Sequence, residues 1–134
     1  MLPEEIVRQD LIDKMVGSLR YPESLIGVEK ELKSLPHLKN EKLPIRRVDI
    51  ICFAKGIHKK YSLYPLLVVE CKAKKLTEDA IEQVLGYNYF IKAFFVAIAN
   101  KDKIKTFFYD NKKKMSFVNF LPTYDQLIDA VKKF

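Results

Sequence analysis

The sequence predicts an α/β fold, a central mixed β-sheet flanked by helices. Three observations predict it. An apolar stripe at helical spacing runs through Pro3–Leu19. Two apolar strand-like runs, 45–54 and 64–72, are separated by a polar turn containing Gly56, the pattern of an antiparallel hairpin. A capped helical segment then divides the second run from the wholly apolar stretch Ala93–Ala99. A strand–helix–strand step of that kind implies a parallel, right-handed crossover, which makes the sheet mixed.

The elements follow in order. Pro3 suits a first helical turn, and Glu4 and Glu5 complement the positive end of its dipole. Val7, Leu11, Met15 and Leu19, with Ile12 and Val16, form the stripe. Glu4, Glu5 and Arg8 fall in the same half of the helical wheel. Either the first turn frays, or a carboxylate there reaches a polar site. Tyr21–Ser24 is a turn, and Leu25–Leu32 a half-exposed strand. Ser34–Pro44, with two prolines, His37 and Asn40, is expected to be a mobile loop. Its lone histidine is expected at the surface rather than as a ligand. Ile45–Ala54 is the second strand, apolar around Asp49. Lys55–Ser62 turns the hairpin, with His58 solvated at the tip, and Tyr64–Lys72 returns as the third strand.

Thr77 is an N-cap for a helix over Glu78–Phe90, whose packed side carries Ile81, Val84, Leu85 and Asn88. Ala93–Ala99 reads as a fully buried strand. Ile104–Tyr109 and Met115–Phe120 pair around the basic tip Asp110–Lys114, either a solvated hairpin end or a phosphate contact. Thr123 and Gln126 form a capping box for the last helix, which packs through Tyr124, Leu127, Ile128 and Val131.

The 134 residues are expected to form one domain. No apolar run approaches the roughly 20 residues that span a bilayer, and the acidic start Met1–Glu5 does not suit a signal peptide. Cys52 and Cys71 sit in apolar runs and read as buried free thiols of a cytoplasmic protein, rather than as a disulfide or a zinc site. The formal net charge is +7, with lysine far outnumbering arginine. An anionic partner fits, nucleic acid first, although charge alone does not decide it.

Chemistry-bearing residues gather where strands end. Leu66–Val69 runs straight into Glu70 and Lys72, which alternation puts on one side. Ionised groups beside a core need pairing or a metal to offset desolvation. Acid-x-lysine triplets arise easily by chance, and the chain holds three: Glu31–Lys33, Glu70–Lys72 and Asp110–Lys112. Only Glu70–Lys72 ends a buried strand. It alone has an acid, Asp49, on the preceding strand, and a capped helix after it carrying Gln83 and Tyr87 four apart. The register that would bring Asp49 to Glu70 is not fixed by sequence. Structural alternatives stay open: Glu70–Lys72 as a strand-end ion pair, Asp49 paired with Arg46 or Arg47, and Gln83 and Tyr87 as an exposed helix flank.

Four segments occur in a telling order: Pro3-Glu4-Glu5-Ile6-Val7-Arg8-Gln9, Arg47-Val48-Asp49-Ile50, Val69-Glu70-Cys71-Lys72-Ala73 and Ala80-Ile81-Glu82-Gln83-Val84-Leu85-Gly86-Tyr87-Asn88. Together they resemble the PD-(D/E)XK nuclease superfamily. Within it they are similar to the N-terminal nuclease domain of type I restriction enzyme R subunits and small stand-alone relatives. Val48 stands where that signature has proline.

The resemblance implies a single nuclease-like domain over 1–134 with a restriction-endonuclease-like core. It implies hydrolysis of DNA phosphodiester bonds, of restriction or repair type. Asp49, Glu70 and the Cys71 backbone carbonyl would hold Mg²⁺ or Mn²⁺, with Glu5 completing the acidic cluster. Lys72 would orient the attacking water or stabilise charge on the phosphate, and Gln83 joins the catalytic set. Tyr87, Arg8 and Gln9 would bind substrate or support the site. DNA is the implied partner, with a homodimer for cutting both strands and a separate helicase or translocase as further expectations. The chemistry agrees, because Mg²⁺ takes carboxylate and carbonyl oxygens and activates water. Two other classes stay open: a nucleic-acid-binding module of the same fold that does not cut, acting in a larger complex, and a structural or oligomerisation protein.

Overall fold

The structure of the protein, a computed structural model, describes residues 2–38 and 42–133. The elements are α1 (Pro3–Gly17), β1 (Ile26–Glu31), β2 (Arg47–Lys55), β3 (Leu63–Cys71), α2 (Glu78–Ile91), β4 (Phe95–Ala99), β5 (Ile104–Tyr109), β6 (Met115–Val118) and α3 (Tyr124–Lys132). The six strands form one sheet in the order β1-β2-β3-β4-β5-β6. Only β3 and β4 pair parallel, joined through α2 as the strand–helix–strand step predicts. All other neighbours are antiparallel. The result is an α/β fold with a mixed sheet between helices.

Both faces of the sheet are covered. Val84 and Ile91 of α2 pack on Ile51, Val68 and Val96. On the other face Val7 and Met15 of α1, with Leu127 and Val131 of α3, pack on Ile50, Leu67, Val69 and Ala97. The central strands β3 and β4 are therefore buried on both sides, which is why their sequences run apolar without alternation. Thr77 caps α2, its Oγ1 accepting the Ala80 N–H at 3.2 Å. The Thr123–Gln126 box caps α3 as expected. The Tyr21 hydroxyl donates to the Pro122 carbonyl at 2.7 Å and fixes the end of α1 to the start of α3.

Several expectations change. β2 starts at Arg47, not Ile45. Ile45 is fully exposed, and Arg46 leaves the sheet for partners described below. Leu25 belongs to a 3₁₀ turn over Glu23–Leu25 rather than to β1. The stretch read as a mobile loop contains a 3₁₀ turn over Pro36–Leu38, and Leu35, His37 and Leu38 are buried. Asn40, placed in that loop, lies outside the described residues. His37 is thus not a surface residue. Its Nε2 lies 2.7 Å from the Ile91 carbonyl, one of the last carbonyls of α2, which have no intrahelical donor. His58 is also not simply solvated. It is half-buried and stacked on Tyr64 with ring centroids 4.3 Å apart.

Candidate active site

Asp49 marks an irregularity in β2. Val48 packs in the α2-side core, whereas Ile50 packs in the opposite one. Residues two apart on a regular strand share a face, so the strand turns over at Asp49. The pairing with β1 runs from Val28↔Ile50 to Lys30↔Val48 without a pair between them. There Glu29 adopts a left-handed backbone with φ 50°. On the other side the ladder with β3 reaches Ile50↔Val69. Interruptions of this kind re-aim side chains. Here the Asp49 Oδ2 accepts the backbone N–H of Cys71 at 2.7 Å.

Alternation along β3 sends Glu70 and Lys72 to the α2 side and Cys71 to the α1 side. Arg46 Nη2 lies 3.5 Å and Lys72 Nζ 3.8 Å from the same Glu70 oxygen, Oε1. The Arg46 guanidinium carbon lies over the Tyr87 ring, 3.5 Å from its centroid, a cation–π contact that holds the group beside Glu70. The Glu70 side chain is only 13% exposed. Burial first, then the Asp49 charge and a hydrogen bond to Asp49, push its carboxyl up to about 7, against the pull of Arg46 and Lys72. The Asp49 charge is thus close enough to oppose ionisation of Glu70.

Burial, and then Asp49 and Glu70, push the Cys71 thiol up to about 12; Arg8 acts in the opposite sense and Glu4 adds to the rise. The neutral thiol leaves Cys71 its backbone groups for chemistry. The first-helix residues that bear on this point are thus Glu4 and Arg8. Glu5 turns back on its own helix, its Oε2 accepting the Leu2 N–H at 3.4 Å. Arg8 donates to Glu29 Oε1 at 2.9 Å, and Gln9 is exposed and bonded to Asp13. Gln83 is exposed on α2, one turn before Tyr87. The structure thus brings Asp49, Glu70, Lys72, Cys71 and Tyr87 together, with Arg8 at the margin. It does not bring Glu5, Gln9 or Gln83 into direct contact with the carboxylates.

Among the described residues no cluster of three or more His, Cys, Asp or Glu is arranged to hold a metal. The donor set is the carboxylate pair. Mg²⁺ commonly takes one or two carboxylates and keeps several waters, so Asp49 and Glu70 with a backbone oxygen fit it. The cavity beside Arg46, Glu70 and Tyr87 is about 10 Å³, room for a single water at most.

A family model described as the type I restriction enzyme R protein N terminus matches residues 3–122. The chain belongs to that family. The matched span opens on the first residue of α1, takes in all six strands and stops short of α3. Every residue of the R protein N terminus site described above lies inside it. No curated protein and no solved structure matches the chain. Among the described residues no helix is long and apolar enough to cross a membrane.

Arg46 is the member of this site that the sequence does not assign to Glu70, offering it only as a partner for Asp49; its contact to Tyr87 is the link that places it on Glu70.

Proposed function

We propose that this restriction-subunit domain is a PD-(D/E)XK nuclease that hydrolyses DNA phosphodiester bonds with Mg²⁺ or Mn²⁺. One observation carries the proposal: the Asp49 carboxylate accepts the backbone N–H of Cys71 at 2.7 Å, the residue between Glu70 and Lys72, and Lys72 Nζ lies 3.8 Å from the Glu70 Oε1. Asp49, Glu70 and the Cys71 carbonyl would hold the ion. When bound, it neutralises phosphate charge and supplies a water acidic enough to yield hydroxide near neutral pH.

The protein's own residues do the rest. Lys72 projects from the same side as Glu70 and reaches the attacking water or the scissile phosphate. Tyr87 clamps Arg46, and Arg46 orients Glu70. Gln83, exposed one turn from Tyr87, meets the substrate. Glu5, Arg8 and Gln9 form the α1 rim of the site. A net charge of +7 favours a polyanion. A second copy for the opposite strand, and a helicase or translocase, are the proposed partners, in the cytoplasm.

The test is nicking of supercoiled plasmid by protein at a few micromolar with Mg²⁺ or Mn²⁺. Asp49→Ala, Glu70→Ala and Lys72→Ala each abolish it. Cutting that persists in EDTA, or in all three variants, would falsify the proposal. One observation favours a second reading, a DNA-binding module that does not cut: Glu70 is already paired to two cations, Arg46 and Lys72. That module binds DNA in a salt-sensitive way and cleaves it under no divalent metal.

A further inference from the structure

On the α1 side of the sheet, between α1 and the β4–β5 turn, runs a groove of about 990 Å³ that reaches Ala73, the residue after Lys72. Lys14, Lys101 and Lys103 line it against two acids, Asp10 and Asp102, while the Lys105 ammonium lies over the Phe117 ring. Its wall also carries Phe120 and Ile6, 53% and 46% exposed.

The groove is built onto the strand that carries Glu70. The Lys72 N–H donates to the Ala99 carbonyl at 2.8 Å. Asn100 Nδ2 donates to the Lys74 carbonyl at 3.1 Å. Asn100 Oδ1 accepts from the Asp102 and Lys103 N–H groups at 2.9 and 2.7 Å. The turn bearing Lys101 and Lys103 is thus tied directly to the segment that follows Glu70. Across the groove, the buried Thr106 hydroxyl donates to the Phe120 carbonyl at 2.8 Å and pins the backbone under that exposed ring.

We infer that this groove takes a single strand of DNA, which reaches Ala73, just past the end of β3. The inference rests on the nuclease function proposed above and adds the form of the substrate. Lysines along a groove follow a phosphate backbone. An exposed ring on its wall can stack on unpaired bases, which a single strand offers and an intact duplex does not.

Binding of fluorescein-labelled oligothymidine of about 12 nucleotides, and of a duplex of equal length, is read by anisotropy in EDTA at low salt. The single strand binds more tightly than the duplex. Lys101→Glu with Lys103→Glu weakens it by about tenfold or more, and Phe120→Ala by several-fold with less change in salt dependence. The control, Lys59→Glu with Lys60→Glu at the far hairpin, alters the net charge equally and leaves binding within about twofold. Equal loss in both double variants, or tighter binding of duplex, overturns the inference. Plasmid nicking separates it from the parent proposal. Metal-dependent nicking with groove-independent binding sinks the groove alone. Groove-dependent binding without nicking under any metal sinks the nuclease alone.

Discussion

The Asp49 carboxylate accepts the Cys71 backbone N–H at 2.7 Å, so one side chain both finishes the β2–β3 ladder and faces Glu70. Asp49→Ala leaves that N–H without its acceptor and costs about 1–3 kcal/mol. Asp49→Asn keeps an acceptor oxygen and costs less than about 1 kcal/mol. Urea unfolding separates the two variants, while DNA cleavage is lost in both.

Glu70 gives a pH dependence with a definite sign. Its carboxyl is raised from 4.5 to about 7 on folding, so the folded state holds the proton more tightly than the unfolded chain. The stabilisation is complete below the unfolded value and is lost as pH rises through the folded one. In EDTA, unfolding free energy therefore falls by up to about 3 kcal/mol between roughly pH 4.5 and 7. Glu70→Gln flattens that fall. Mg²⁺ restores stability above this window and has little effect below it.

Arg46 acts through Glu70. Removing it in Arg46→Ala takes away one of the two charges that hold the Glu70 carboxyl down, so the acid limb of the cleavage pH profile moves upward. Tyr87→Ala frees the guanidinium and moves it the same way, by less. Tyr87→Phe keeps the ring, on which the contact depends, and leaves the profile where it was. A purely structural Arg46 would alter unfolding without moving the limb.

Gln83 is exposed, so Gln83→Ala leaves stability within about 0.5 kcal/mol. It raises the DNA concentration needed for half-maximal cleavage. An unchanged cleavage curve would remove Gln83 from the site.

His37→Ala separates stability from chemistry. The ring is buried, bonded to the Ile91 carbonyl at 2.7 Å and 5.2 Å from the Tyr64 ring. Its loss costs about 2–3 kcal/mol in urea unfolding and leaves cleavage by the folded protein unaltered.

The strand order and the crossover were legible because β3 and β4 are buried on both faces, and burial on both faces writes itself as unbroken apolar sequence. The Asp49, Glu70 and Lys72 positions were legible because charge at the end of such a run has few structural uses. What alternation could not convey was the turnover at Asp49, since it breaks the period on which strand reading depends. His37 failed for a different reason. A proline-flanked histidine looks the same whether or not a helix end 54 residues later offers it a carbonyl. Arg46 combined both problems, leaving the strand just before Asp49 and finding its ring on α2.

The clamped Arg46 also bears on how the domain could be made and kept. A guanidinium stays charged at any pH a cell reaches, and it already stands beside Glu70 with Lys72. The carboxylate end of the sheet can thus assemble on the ribosome without any ion. If the domain works through a metal as proposed, chelation silences it without unmaking it, and readdition of the ion starts it again with no refolding step.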